Sequence, residues 1–159
     1  MRRLEPWLAA ATGVRLVERT DAMLALYPAG AAGYAAHCDN PDGDGRSQTH
    51  GDDGRLLACV LYLNDEAWTA ADGGALRVFE KHVKDWTRDS PGAAVDVLPT
   101  AGTLVLFRAD QTVHEVRPAN RARAAMAIWF MGTYPPPDGL HPPTAAAGRT
   151  RPSPTFDSE

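Results

Sequence analysis

An all-β fold (a sandwich, barrel or jelly roll) with one short N-terminal helix is the architecture this sequence predicts. Three observations carry it. Roughly eight or nine short apolar runs follow one another along the chain, most of them alternating with period two. Clusters of Gly, Pro, Asn and Asp punctuate them at strand-and-turn intervals. No glycine-rich phosphate loop opens a helix and no internal repeat is visible, which disfavours nucleotide-binding α/β folds.

The elements run in order along the chain. Leu4, Trp7, Leu8 and Ala11 recur at helical spacing, so residues 4–12 should form a helix that Gly13 ends. The period then drops to two. Residues 14–18 and 22–27 read as strands, and a Gly/Ala loop over 28–33 leads to a strand over 34–39, stopped by Asn40 and Pro41. Residues 42–55 are dense in Asp and Gly, contain one His and show no periodicity, as an exposed loop would. Residues 56–63 form the most apolar strand and 74–80 the next. Strands over 95–98 and 103–108 flank a turn at Pro99, Thr100, Ala101 and Gly102. Strands over 113–116 and 123–131 flank the turn at residues 118–120.

A chain of 159 residues fits one domain, placed at residues 1–134. After Tyr134 come three prolines and a Pro/Ala-rich stretch poor in large apolar residues. Residues 135–159 are therefore expected to be a tail without fixed structure. The net charge is −4 with Lys and Arg scattered, so no basic stripe points to nucleic acid. Two cysteines, Cys38 and Cys59, exclude a disulfide framework and suit a reducing compartment. No run approaches membrane-spanning length, and Leu4, Glu5, Pro6 and Trp7 are no signal-peptide core. The expectation is a monomer of the cytoplasm or nucleus, with neither nucleic acid nor membrane as partner.

The chemistry begins at His37, Cys38 and Asp39. On a strand, residues two apart project to one face, so an imidazole and a carboxylate can reach the same metal. His114, at another strand, offers a third ligand. Two His and one carboxylate leave open coordination positions, the arrangement suited to non-haem Fe(II) oxygen chemistry. Chance alone readily supplies a His-X-Asp pair, so its meaning depends on its company. Arg123 stands nine residues after His114, past a turn that can bring it back beside the metal. Its rigid, always charged fork matches a carboxylate in two parallel hydrogen bonds. Every second residue from Arg123 gives Ala125, Ala127 and Trp129, a face with room for a ligand; Met126, Ile128 and Phe130 face the core. Arg121 shares that parity but lies nearer the turn. Tyr62, with Val60 and Ala58 on its face, and Tyr27 complete the pocket; a buried phenol needs a partner.

These residues carry a resemblance. The run from Ala22 to Pro28, then Gly33 and Tyr34, then His37, Cys38, Asp39, Asn40 and Pro41, resembles the prolyl 4-hydroxylases that modify hypoxia-inducible factor, within the Fe(II)/2-oxoglutarate-dependent dioxygenases. So do Asp42, Gly43, Asp44, Gly45 and Arg46; Tyr62, Leu63 and Asn64 with Trp68; and Gly73 to Phe79. His114, Glu115 and Val116 with Arg123 and Trp129 continue the match, which runs in order over residues 21–130. It implies a double-stranded β-helix (a cupin-like jelly roll) with Fe(II) on His37, Asp39 and His114. It further implies 2-oxoglutarate held at its far carboxylate by Arg123 and Tyr62, with Tyr27, Val60, Leu76, Val116 and Trp129 around it. Arg46 and Trp129 would meet the substrate, a proline-containing protein or peptide. O2 would be the cosubstrate, and ascorbate would restore oxidised iron.

The chain departs from the family's pattern in three places. Residues 47–55 have no counterpart in the animal enzymes. Ala127 stands where Thr is usual, which removes a hydrogen bond to the cosubstrate of roughly 1 kcal/mol. Fewer helices precede the strands. Two other readings stay open: the same cofactors acting on a free amino acid or small molecule, and a non-catalytic metal-binding jelly roll.

Overall fold

The computed structural model describes residues 4–43 and 52–134. The expected tail, Arg46 and His50 lie outside the described residues. Helix α1 (Leu4–Thr12) is followed by β1 (Arg15–Arg19), β2 (Met23–Tyr27), β3 (Tyr34–His37), β4 (Arg55–Tyr62) and β5 (Leu76–His82). Then come β6 (Ala94–Val97), β7 (Leu104–Arg108), β8 (Thr112–Val116) and β9 (Arg123–Thr133). A 3₁₀ turn at Ala70–Asp72, which no helical period foreshadows, sits between β4 and β5.

The strands form two antiparallel sheets. One has the order β1-β9-β4-β7, with β2 beside β1 on the same edge of the long strand β9; the other runs β3-β8-β5-β6. β2 pairs with the first half of β9 (Met23 opposite Ala127, Tyr27 opposite Arg123) and β1 with its end. The sheets face each other as a double-stranded β-helix, so the jelly-roll expectation holds.

Alternation along β4 and β9 divides the apolar residues between two cores. Leu57, Cys59, Ile128 and Phe130 point away from the second sheet and pack with Leu8 and Val14. Burying one leucine such as Leu8, 2% exposed, is worth roughly 2 kcal/mol, enough to hold a short helix that would be marginal alone. The helix's apolar stripe is narrower than its spacing implied: Leu4 and Leu8 pack inward, while Trp7 is 59% exposed and Ala11 is also exposed. Gly13, at φ +70°, ends the helix as expected, its N–H bonding Ala9 O at 2.9 Å. On the opposite parity Tyr62, Leu76 and Ala125 meet Val60, Val78, Val97, Val105 and Phe107 between the sheets.

Two local features set the course of the chain around His37 and Asp39. Gly33, at φ +87°, lies so close to β8 that a Cβ there would collide with Val116 O; only glycine lets β3 dock against β8. The strand expected over 34–39 stops at His37. Asp39 therefore lies in the bend beyond it, and strand parity is not what aligns it with His37. Buried Asn40 takes over: its side-chain amide donates to Asp52 Oδ1 (2.8 Å) and Arg55 O (3.0 Å). Its own N–H donates to Ala109 O at 2.9 Å. The expected exposed loop over 42–55 is thus anchored at its described end, where Asp52 is half-buried.

Candidate metal centre and its cavity

β3 and β8 pair so that His37 stands opposite His114, their rings 4.4 Å apart. Asp39 reaches between them. Its Oδ1 lies 3.4 Å from His37 Nε2 and 3.9 Å from His114 Nε2, and one ligand atom from each of the three falls within 4.8 Å of the others. Each imidazole is oriented from behind by a backbone carbonyl: His37 Nδ1 by Ala35 O at 3.0 Å, His114 Nδ1 by Thr112 O at 3.2 Å. With Nδ1 donating, Nε2 presents its lone pair to the shared centre, as metal-binding histidines do.

The second oxygen of Asp39 is already engaged. Trp129 Nε1 donates to Oδ2 at 2.9 Å. Burial alone would raise the Asp39 pKa, but hydrogen bonds from His37 and Trp129, with the nearby imidazole charge, bring it below the ordinary value. The two histidines diverge. His37 is raised, chiefly by its hydrogen bond to Asp39, whereas burial lowers that of His114. Three neutral-to-anionic donors converging from one side can hold a divalent cation and leave positions open.

The triad lies on the wall of a cavity of about 400 Å³ between the sheets. Tyr27, Val60, Leu76, Val116, Arg123 and Trp129 all line it, as do the small residues Ala125 and Ala127. The face that alternation cleared for a ligand is therefore a cavity wall. Arg123 sits at the far end from Trp129. It is 3% exposed; its Nε donates to Gly74 O at 2.8 Å, and no carboxylate pairs with it among the described residues. The Tyr27 and Tyr62 rings flank the guanidinium at 5.1 and 5.0 Å. Burial pulls its pKa down, because an isolated charge is costly away from water. Tyr62 is 1% exposed, its pKa raised by burial, and its hydroxyl has no hydrogen-bond partner among the described residues. Arg123 is near enough to influence the phenol's ionisation, yet no hydrogen bond of good geometry joins them. A buried cation without a counter-ion and an orphaned hydroxyl beside it fit one group, an anion with oxygen acceptors. The residues present thus fit both a metal and a carboxylate ligand.

Other expected site residues fall elsewhere. Arg121 turns outward to Asp65 (3.3 Å) and Asp72 (3.4 Å) over Trp68, in a separate open groove. Arg46 lies outside the described residues. A residue not singled out in the sequence occupies the cavity rim: Arg55, whose guanidinium lies 4.8 Å over the Trp129 ring and whose Nε pairs with Asp53 at 3.0 Å. Its signal was a second Asp-Gly-Arg at residues 53–55, echoing residues 44–46 and leading directly into β4. Tyr34, 56% exposed and edge-on to His37 at 4.8 Å, forms another part of the rim. The Cys38 thiol donates to Ala109 O, and both cysteines are free.

Comparison with known proteins places this geometry. The profile of the 2OG-Fe(II) oxygenase superfamily matches residues 22–131. Prolyl hydroxylase EGLN3 of Mus musculus is 36% identical over 114 residues, 71% of this chain and 41% of that protein. The hypoxia-inducible factor prolyl hydroxylase of Caenorhabditis elegans is 37% identical over 114 residues, 71% of this chain and 13% of that protein. The chain thus spans less than half the length of these curated relatives. Among solved structures, a Pseudomonas putida prolyl-4-hydroxylase superposes with a TM-score of 0.63 and 34% identity, covering 82% of this chain and 62% of that one. A Trichoplax adhaerens prolyl hydroxylase in complex with a hypoxia-inducible factor peptide fragment gives 0.61 and 28%, covering 80% and 52%.

Proposed function

Because the chain belongs to the 2OG-Fe(II) oxygenase superfamily, we propose that it hydroxylates a prolyl residue of a protein or peptide to 4-hydroxyproline, converting 2-oxoglutarate and O2 to succinate and CO2. The observation that carries this reading is Arg123: a buried guanidinium without a carboxylate among the described residues, in one cavity with His37, Asp39 and His114. Proline as the target is supported by the relatives, which are named as prolyl hydroxylases.

His37 Nε2, His114 Nε2 and Asp39 Oδ1 would hold Fe(II). Arg123 and the Tyr62 hydroxyl would take the far carboxylate of 2-oxoglutarate, orienting its keto acid end toward the triad. Bound iron and 2-oxoglutarate supply, with O2, an oxidant able to hydroxylate an unactivated carbon. Val60, Leu76, Val116 and Ala125 keep water from the reacting groups. Arg55 and Tyr34 at the rim, with Trp129 behind them, present the surface that meets the peptide. Ascorbate serves to return oxidised iron to Fe(II). With no described helix long and apolar enough to cross a membrane and two free cysteines, a cytoplasmic or nuclear location remains part of the proposal.

The test is direct. Anaerobic Fe(II) and 2-oxoglutarate should together give the visible charge-transfer band of a chelated oxo acid. In air, proline-containing peptides should gain one oxygen by mass spectrometry, in step with succinate release. Succinate formed without an oxidised peptide, while a free amino acid is oxidised, would replace the peptide reading; no band at all would remove the enzyme reading.

A further inference from the structure

We infer that Trp129 is a positioning residue for the metal: its indole N–H holds Asp39 to coordination through Oδ1 alone. The inference rests on the metal centre proposed above. Both Nε2 atoms face the same Asp39 oxygen, Oδ1, at 3.4 and 3.9 Å, while Oδ2 is taken by Trp129 Nε1 at 2.9 Å. A carboxylate free at both oxygens can rotate to chelate a cation with the pair, filling one of the positions the chemistry needs open. Asp39 lies past the end of β3, where no strand pairing fixes its side chain. Something else must set its rotamer.

Trp129 is itself held on every side that matters for this task. Its backbone N–H donates to Thr20 Oγ1 at 3.1 Å, and its carbonyl accepts from Thr20 N at 2.9 Å. β4 pairs with it on the other side, at Ala58. The Arg55 guanidinium covers one face of the ring at 4.8 Å, an arrangement that attracts a cation to an indole. Arg55 is pinned in turn by the hydrogen bond from the Asn40 side chain to its carbonyl at 3.0 Å. Asn40 comes directly after Asp39 in the chain, so the residues on either side of the contact are tied together. The indole is thus a rigid donor aimed at one oxygen. Outer partners of this kind change metal affinity by about 10- to 100-fold when lost.

The experiment uses the full chain, titrated anaerobically with Co(II) as a spectroscopic stand-in for Fe(II), with and without 2-oxoglutarate. Trp129→Phe should weaken Co(II) binding by about 10- to 100-fold and shift its ligand-field bands. 3-Benzothienylalanine introduced at position 129 alone keeps the ring's size but carries sulfur in place of N–H. It should reproduce both effects while the metal-free protein keeps the wild-type far-ultraviolet circular dichroism and a cooperative melt. Wild-type affinity and spectrum in the benzothienyl protein would overturn the inference and leave the metal centre standing. A wild-type chain that takes up neither Co(II) nor Fe(II) would overturn both.

Discussion

Asp39→Ala should abolish the 2-oxoglutarate-dependent iron band and lower Fe(II) affinity by more than about 100-fold, beyond the range seen for loss of an outer partner. The physical reason is threefold. The substitution removes the only carboxylate of the triad, and with it the negative charge that stabilises a dication beside two neutral imidazoles. It also leaves the half-buried Trp129 Nε1 without its acceptor, a loss of about 1 kcal/mol. Finally it removes Oδ1, the one oxygen that the Nε2 atoms of His37 and His114 both face, so that the two imidazoles lose their common partner. Anaerobic titration followed by visible absorption measures the first effect directly. Retention of the band in Asp39→Ala, with unchanged iron affinity, would show that the metal sits elsewhere.

The second large effect separates binding from stability. Arg123→Met should leave the metal-free fold as stable as the wild type or more so, while 2-oxoglutarate affinity falls by roughly 30- to 5,000-fold, the range expected when a desolvated, hydrogen-bonded charge loses its partner. The signs differ because the guanidinium is buried with no counter-ion among the described residues. In the empty protein it is a charge held away from water, and an apolar side chain of similar length removes that penalty at the cost of one bond to Gly74 O. With ligand present the same group is the anchor. In thermal melts with Fe(II) present throughout, added 2-oxoglutarate should raise the wild-type midpoint by mass action and leave the variant's nearly unmoved. Fe(II) affinity itself should change far less than 2-oxoglutarate affinity. Equal loss of both would place Arg123 outside the carboxylate site.

Much of this arrangement was legible because alternation is local. The period-two pattern in β4 and β9 sorted Ala58, Val60 and Tyr62 from Leu57 and Cys59, and Ala125 and Ala127 from Ile128 and Phe130, before any partner strand was known. Leu4 and Leu8 with Gly13 fixed the helix to its observed limits. What could not be read came from groups that acquire their role only from distant neighbours. Asp39 was placed by strand parity, yet a bend tied down by Asn40 sets its direction, and no periodicity encodes a bend. Trp129 looked like a pocket wall; its bond to Asp39 depends on a residue 90 positions away. Arg55 stands in the sequence at the end of an irregular loop, which offers no register from which to judge where its side chain points. Arg121 and Arg123 share parity, and only the burial of the strand end distinguishes the outward one, paired with Asp65 and Asp72, from the inward one.

The pairing of β9 on both edges has a kinetic consequence. That strand meets β1 and β2, from the start of the chain, on one side and β4 on the other, so its backbone bonds close loops spanning most of the domain: Thr20 N–H to Trp129 O alone joins residues 109 apart. Such connections must be closed before any of them is rewarded, which makes folding slow, on the order of milliseconds to seconds for a β topology of this kind. The three residues proposed to hold the metal come from β3, the bend after it and β8, and the proposed carboxylate anchor from β9. On a nascent chain the anchor is therefore the last part of the site to be made, whereas the triad needs only β3, the bend and β8 and can come together before β9 is inserted.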